Sequence, residues 1–200
     1  MICNIIFDVG NVLTIWDAKA LCEGIYPNDP RKAKIAYEKG FTNPLWYIGD
    51  NGSTTMMELA TRMTSDSEEV AILQYAFAHF SEHLIPNPQM IEFLKAAHEK
   101  GYGCYLLSNY NEYFPSSMEH LGVLPYIDGY VYSHPIRIIK PEIGIFQHLF
   151  KKYHLDPKDC LFIDDREPNI DGARKAGIAH LYQYEMGKLG PLELFGFDLH

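Results

Sequence analysis

The sequence predicts an α/β fold with three layers, in which helices cover both faces of a central parallel sheet. After Pro86, short apolar runs of strand length alternate with helical stripes, which is typical of a parallel sheet. Before Pro86, a single apolar run at the start is followed by helical periodicity from Trp16 to Leu84. We therefore predict a core domain of residues 1–15 and 85–200, and a small α-helical domain of residues 16–84 inserted after the first strand.

The first strand is predicted from Ile5-Ile6-Phe7, a continuous apolar run of the kind found in strands that are buried on both faces. Asp8 follows directly, so the strand would deliver this carboxylate to the edge of the sheet where open parallel sheets bind ligands. A carboxylate there serves as a nucleophile or as a ligand for a hard metal ion. Taken alone, Asp8 is also explained as a cap of the following loop.

The inserted segment is predicted to consist of several short helices. Ser53 begins one of them, and the acidic run Ser65–Glu69 begins another, each followed by apolar residues at helical spacing. Prolines and the pair Asn51-Gly52 mark the turns between these helices.

The second half of the chain supplies the other elements of the core. Asn87 is a predicted N-cap with Pro88 at the first helical position, and Gly101 follows the end of that helix. The further predicted elements are strands at 104–107, 129–132, 160–163 and 180–182, a helix over 143–153, and a helix through Ile170 and Ala173 that stops at Gly177. No element is assigned to Gly187–His200.

Charge and composition exclude several classes of protein. Lys and Arg total 17 against 26 Asp and Glu, a net charge of −9, which disfavours nucleic acid or an anionic membrane as the partner. The four cysteines form no CxxC pair, so reduced buried thiols are expected rather than disulfides or a zinc site. No apolar run is long enough to span a bilayer. We expect a soluble cytoplasmic protein.

Polar residues follow three of the predicted strands: Asp8, then Ser108-Asn109, then Asp164-Asp165. Because parallel strands end on the same edge of the sheet, these residues should meet there. Converging carboxylates need a cation, and oxygen ligands suit Mg²⁺. With Lys140, a positive charge just ahead of a helix, the set fits phosphoryl transfer. Each residue alone has a simpler explanation, as a turn, a surface charge or a helix start.

Four segments in this order resemble the motifs of the haloacid dehalogenase (HAD) superfamily: Phe7–Leu13, Leu107–Asn109, Lys140-Pro141 and Phe162–Asp165. The resemblance covers nearly the whole chain and implies a Rossmann-like core, with the helical insert as the small α-helical cap of the family. The amino-acid sequences of the first motif and of the run Asp164–Ala173 are most similar to those of a bacterial α-glucose-1-phosphate phosphatase-like group.

The resemblance implies a Mg²⁺-dependent phosphatase acting on a small phosphate monoester, with a role for each matching residue. Asp8 would attack phosphorus and form an aspartyl-phosphate, which water then hydrolyses. Ser108, Asn109 and Lys140 would bind the phosphate, and Lys140 would also orient Asp8. The protein would act as a monomer or homodimer.

The implied Mg²⁺ ligands are Asp8, the backbone carbonyl of Gly10, and Asp165, with Asp164 binding directly or through a neighbour. Gly10 is also a departure from the family, because most of its phosphatases carry at this position a second aspartate that acts as general acid and base. Such a group is typically worth ~10²–10⁴-fold in rate. Another group or a water could replace it, the leaving group could need little protonation, or the protein could bind without catalysis.

Two rival functions therefore stay open. A metal-independent 2-haloacid dehalogenase also lacks the second aspartate, but generally lacks the paired acids that Asp164 and Asp165 provide here. A catalytically degraded binding or regulatory protein is the other rival. Substrate choice should lie in the insert, where aromatic and short polar groups suit a sugar. The candidates are Trp16, Asp17, Trp46, Tyr47 and Asn51, with packing in the core of the insert as the alternative for Trp46 and Tyr47.

Overall fold

A computed structural model describes residues 1–188 of the protein. Within these residues the strands are β1 (Asn4–Phe7), β2 (Thr14–Ile15), β3 (Ile85–Pro86), β4 (Gly103–Ser108), β5 (Gly129–Tyr132), β6 (Cys160–Asp164) and β7 (His180–Gln183). The main sheet has five parallel strands in the order β5-β4-β1-β6-β7. Strand β1 lies at the centre, where Phe7 is in register with Leu106 of β4 and Ile163 of β6.

Helices cover both faces of this sheet, which confirms the predicted three-layer α/β fold. The helices are α1 (Ala18–Ile25), α2 (Pro30–Ile35), α3 (Trp46–Asp50), α4 (Met56–Met63), α5 (Ser67–His79), α6 (Pro88–Glu99), α7 (Phe114–His120), α8 (Ser133–Ile136), α9 (Ile143–Tyr153) and α10 (Glu167–Lys175). Alternate residues of β1 point to opposite faces. Ile5 and Phe7 join the cluster that contains α6 and α7, and Ile6 joins the cluster that contains α9 and α10.

Helices α1–α5 form the segment between β2 and β3, and they have a hydrophobic cluster of their own, with Leu59, Leu73 and Phe77 fully buried. Strands β2 and β3 pair in antiparallel fashion where the chain enters and leaves this segment. The partition into domains at residues 15/16 and 84/85 stays a prediction.

Two local predictions need correction. Helix α4 begins at Met56 and not at Ser53, because Thr55 is the N-cap: its hydroxyl accepts from the Glu58 N–H, and the Glu58 carboxylate accepts from the Thr55 N–H. Asn87 is at the predicted N-cap position, but its side chain donates instead to the Val12 carbonyl and the Tyr184 hydroxyl, at 2.8 and 3.0 Å. It thereby ties the first loop of the chain to the residues after β7.

The unassigned C-terminal stretch falls mostly outside the described residues, which end at 188. Glu185 and Lys188 form an isolated antiparallel bridge just before that point. Among residues 1–188, no helix combines the length and the apolar character that crossing a membrane requires.

Candidate active site

Asp8 stands at the end of β1, at the centre of the edge formed by the carboxyl ends of the strands. Its N–H donates to the Ile163 carbonyl at 2.9 Å, which continues the sheet ladder by one residue and fixes where the side chain leaves the strand. The chain then turns through Val9–Leu13, and the Val9 N–H donates to Asp8 Oδ1 at 2.7 Å. Asn11 adopts a left-handed conformation in this turn, with φ of 54°.

Lys140 joins two of the carboxylates. Its Nζ lies 2.7 Å from Asp8 Oδ1 and 2.7 Å from Asp164 Oδ2, and only 2% of the residue is exposed. Burial disfavours the ammonium, but the two carboxylates outweigh burial, so the pKa of Lys140 lies above its usual value. Burial also raises the pKa of Asp8 to about 7, a shift that Lys140 opposes and Asp164 increases.

Ser108 and Asn109, at the end of β4, both reach this centre. The Ser108 hydroxyl donates to Asp8 Oδ1 at 3.1 Å. Asn109 holds the backbone of Lys140 at two points, since its Oδ1 accepts from the Lys140 N–H at 2.7 Å and its Nδ2 donates to the Lys140 carbonyl at 2.9 Å. Asn109 therefore fixes the loop that carries the lysine.

The two acids at the end of β6 have different surroundings. Asp164 is fully buried and accepts from the Arg166 N–H, the Asn169 amide and Lys140. Asp165 is half-buried, and its Oδ2 accepts from the Asn11 amide at 3.2 Å. Burial raises the pKa of Asp165.

The three carboxylates converge. One oxygen from each of Asp8, Asp164 and Asp165 lies within 4.8 Å of the other two. One ammonium contacts two of them, so these four side chains carry a net charge of −2 when all three acids are ionised. Oxygen donors at this spacing, with this excess of charge, suit a hard divalent cation.

A cavity of about 280 Å³ opens between this edge of the sheet and the helical insert. Its floor contains Asp8, Gly10, Ser108, Asn109, Lys140 and Asp165, which are all sequence-predicted site residues. The aromatic residues around it are Trp16, Phe41, Trp46, Phe80 and Tyr110.

Of the five residues proposed for substrate choice, Trp16 and Trp46 line the cavity. Trp46 also packs against the hydrophobic cluster of the insert, and its part in substrate choice stays a prediction. The other three do not line the cavity. Asp17 caps α1, Asn51 accepts from the Ser53 N–H, and Tyr47 is 60% exposed.

Sequence reasoning missed several residues of the cavity wall, namely Asp50, Asn111, Arg166 and Asn169. Asn111 follows the second motif by two residues, which is the one signal that could have indicated it. Asp50 is half-buried at the end of α3, and burial raises its pKa to about 8 despite hydrogen bonds with Asn111 and Trp46. Nothing in the sequence distinguishes Asp50 from its polar neighbour Asn51.

The sequence also matches one hydrolase family. The sequence model of the haloacid dehalogenase-like hydrolases matches residues 4–177. The chain therefore belongs to the haloacid dehalogenase-like hydrolase family.

Solved structures from this family superpose over almost the whole chain. A HAD family enzyme from Bacteroides thetaiotaomicron, in its magnesium complex, is 25% identical, with a TM-score of 0.71 over 97% of this chain and 98% of that one. The wild-type form of that enzyme with magnesium and inorganic phosphate is 23% identical, with a TM-score of 0.70 over 96% and 99%. An L-2-haloacid dehalogenase from Xanthobacter autotrophicus is 17% identical, with a TM-score of 0.67 over 98% and 87%.

Proposed function

We propose that the protein is a Mg²⁺-dependent phosphatase that hydrolyses a small phosphate monoester through an aspartyl-phosphate. The observation that carries this proposal is the cluster of three carboxylates at the end of the sheet, where one lysine contacts only two of them. A dehalogenase that attacks carbon has no need of such a cluster. A phosphatase needs it, because a divalent cation and a lysine together neutralise the phosphoryl group.

The residues present fit Mg²⁺. Asp8 and Asp165 offer carboxylate oxygens at the cavity, and Gly10, which also lines it, offers its backbone carbonyl. Asp164 does not line the cavity, and its oxygens already accept from three residues, so we assign it the task of holding Lys140 beside the ion. Bound there, Mg²⁺ would offset the charge of the phosphate oxygens. The magnesium complex of the Bacteroides enzyme supports Mg²⁺ as the ion.

Asp8 is prepared for attack by its hydrogen bonds. The Val9 N–H, the Ser108 hydroxyl and the Lys140 ammonium all contact Oδ1. These contacts fix the orientation of the carboxylate that attacks phosphorus. Lys140 and Ser108 stay close to the phosphate oxygens after the transfer, and the second amide hydrogen of Asn109 is available to the same group. Water then hydrolyses the aspartyl-phosphate.

The cavity sets the size and kind of substrate. A volume of about 280 Å³, with several aromatic side chains around a polar floor, suits a phosphorylated sugar, whose ring stacks on aromatic faces. An α-hexose 1-phosphate fits this description and agrees with the likeness of the motifs to α-glucose-1-phosphate phosphatases. The phosphate belongs at the sheet edge, and the sugar belongs beneath the insert.

The test compares two reactions under two metal conditions. We expect hydrolysis of p-nitrophenyl phosphate with Mg²⁺, its loss in EDTA, and its recovery when Mg²⁺ is restored. Asp8→Asn should abolish turnover, whereas Asp171→Asn, at a half-exposed aspartate paired with Arg174, should not change it. An Asp8→Asn variant that retains turnover would disprove the nucleophile.

Two other outcomes would replace the proposal. Chloride release from 2-chloropropionate that continues in EDTA would identify a dehalogenase, the function of the Xanthobacter relative. Binding of phosphate esters without turnover of any of them would identify a protein that binds and does not catalyse. A screen of sugar phosphates follows only if the p-nitrophenyl ester is hydrolysed.

A further inference from the structure

The proposed reaction needs a proton donor that the nucleophile's own loop does not provide. When Asp8 attacks phosphorus, the P–O bond to the leaving group breaks and an alkoxide oxygen must be protonated. Gly10 has no side chain for this task. A Cβ built on Gly10 would meet no atom within 4 Å, so the space beside Asp8 is open to the substrate.

Among residues 1–188, six titratable side chains line the cavity: Asp8, Asp50, Tyr110, Lys140, Asp165 and Arg166. Asp8 is the nucleophile and Asp165 is a proposed metal ligand. Lys140 holds its protons between two carboxylates. Arg166 is excluded as a donor because arginine side chains do not release a proton in proteins. The two that remain are Tyr110 and Asp50.

Tyr110 is a poor donor to the substrate. Its hydroxyl already donates to Ser117 Oγ at 2.9 Å, and burial raises its pKa. The Asp50 carboxyl is instead hydrogen-bonded by Trp46 and Asn111. It ends α3, the helix of the insert that begins at Trp46, and both residues border the same cavity as Asp8.

Asp50 is held in place from both sides of the cavity. Trp46, in its own helix, and Asn111, in the loop after β4, both hydrogen-bond its carboxyl. The Ser133 hydroxyl, at the start of α8, donates to its backbone carbonyl. These contacts fix a carboxyl group from the insert above the floor that carries the nucleophile.

Burial and one charged neighbour favour the protonated form of this carboxyl. Burial is the largest cause of the raised pKa, and Glu112 adds a like charge. His134 faces Glu112, with its Nε2 at 3.4 Å from Glu112 Oε2. Across the cavity lie the charged groups of its floor, which are Asp8, Lys140 and Asp165. An acid whose pKa is about 8 is mostly protonated at neutral pH and still gives up its proton readily.

We propose that Asp50 is the general acid and base of the reaction, supplied by the insert in place of a side chain at position 10. As the P–O bond breaks, the electron pair stays on the leaving oxygen, and the Asp50 carboxyl transfers its proton to that oxygen to give the alcohol. The Asp50 carboxylate then takes a proton from the water that attacks the aspartyl-phosphate, which releases Asp8 and phosphate and restores the acid. This inference rests on the proposed phosphatase function.

The test uses two esters of similar size that differ in their need for a proton. p-Nitrophenolate leaves without protonation, and the alkoxide of benzyl phosphate does not. In Asp50→Asn we expect kcat/KM to fall ~10²-fold or more for benzyl phosphate, and less than about tenfold for p-nitrophenyl phosphate. kcat/KM excludes the later hydrolysis of the aspartyl-phosphate, so it isolates the acid step. Asp50→Glu, which retains a carboxyl, should recover part of the lost rate.

Two further measurements do not depend on the folding of Asp50→Asn. In the wild type, kcat/KM for benzyl phosphate should fall as pH rises through about 8, the pKa of Asp50, while the value for p-nitrophenyl phosphate should not. Glu112→Gln removes the like charge but keeps an oxygen for the Met56 N–H, so this decline should move to lower pH.

The outcomes separate the two proposals. Equal losses for both esters in Asp50→Asn, or no loss for either, would overturn the role of Asp50 and leave the phosphatase function intact. The same holds for identical pH profiles with the two esters. A wild type that hydrolyses neither ester in Mg²⁺ would overturn the phosphatase function itself, and the role of Asp50 with it.

Discussion

Replacing Asp8, the proposed nucleophile, should make the metal-free protein more stable, and increasingly so as pH rises. Asp8 is 6% exposed, and burial raises its pKa from an ordinary 3.8 to about 7. Between these two values the folded protein holds a proton that the unfolded chain releases. Stability therefore falls as pH rises through this window, by the linkage between proton binding and folding. Asn at position 8 does not titrate, so the Asp8→Asn variant does not lose this stability as pH rises.

The size of the effect follows from the interval of pH. Each unit of pKa difference corresponds to about 1.36 kcal/mol, and roughly two units separate pH 5 from the folded-state pKa of Asp8. The advantage of Asp8→Asn in free energy of unfolding should thus grow by on the order of 3 kcal/mol between pH 5 and pH 8. The asparagine Oδ1 can accept the same hydrogen bonds from Val9, Ser108 and Lys140. The part of the difference in free energy of unfolding that does not depend on pH should therefore be small.

Urea denaturation in EDTA at pH 5 and pH 8 measures this growth directly, because titrations common to both proteins cancel. Asp171→Asn is the matched control, and its difference from the wild type should change by less than ~0.5 kcal/mol, as expected of an exposed ion pair. An Asp8→Asn advantage that is the same at both pH values would refute the reasoning. Adding Mg²⁺ at pH 8 should restore stability to the wild type, because only the folded state binds the ion.

Two substitutions test Lys140 and the loop that carries it. Lys140→Met leaves two buried carboxylates facing each other and should cost ~3–5 kcal/mol in urea denaturation at pH 8, with a smaller loss at pH 5, where Asp8 is protonated; equal losses at both would contradict the charge argument. Gly172→Ala should cost ~1–3 kcal/mol, because the new Cβ would lie 2.5 Å from the Pro141 carbonyl oxygen. Gly144→Ala, whose Cβ would meet only side-chain atoms of Ile138, should stay within ~1 kcal/mol of the wild type, and equal costs for both alanines would exclude the clash as the cause.

Most of the fold could be predicted because its strands are continuous apolar runs and its longer helices have clear stripes. The pairing of β2 with β3 could not, since strands of two residues show no periodicity. Helix α7 was also missed. It has seven residues, two of them serines that favour helices weakly, and only Phe114 and Met118 mark its buried face.

The groups at the sheet edge could be predicted because the geometry of a parallel sheet brings strand ends together wherever they fall in the sequence. The wall of the cavity could not. Successive residues of a helix point about 100° apart, so the packing of α3 decides which of its residues faces the sheet. In this helix Trp46 and Asp50 face the cavity, while Tyr47 is exposed.

Lys140 determines which carboxylate oxygens of the site are available to a cation. Its Nζ lies 2.7 Å from both Asp8 Oδ1 and Asp164 Oδ2, so these two oxygens form ion pairs with the lysine. Asp8 Oδ2 and the Asp165 carboxylate remain, on the two acids that line the cavity. We infer that Asp164 acts only through the lysine. The free carboxylate oxygens then keep negative charge available for a cation, and the lysine offers positive charge to a phosphate. The stability that the metal-free protein loses at high pH is then a direct consequence of the same charges.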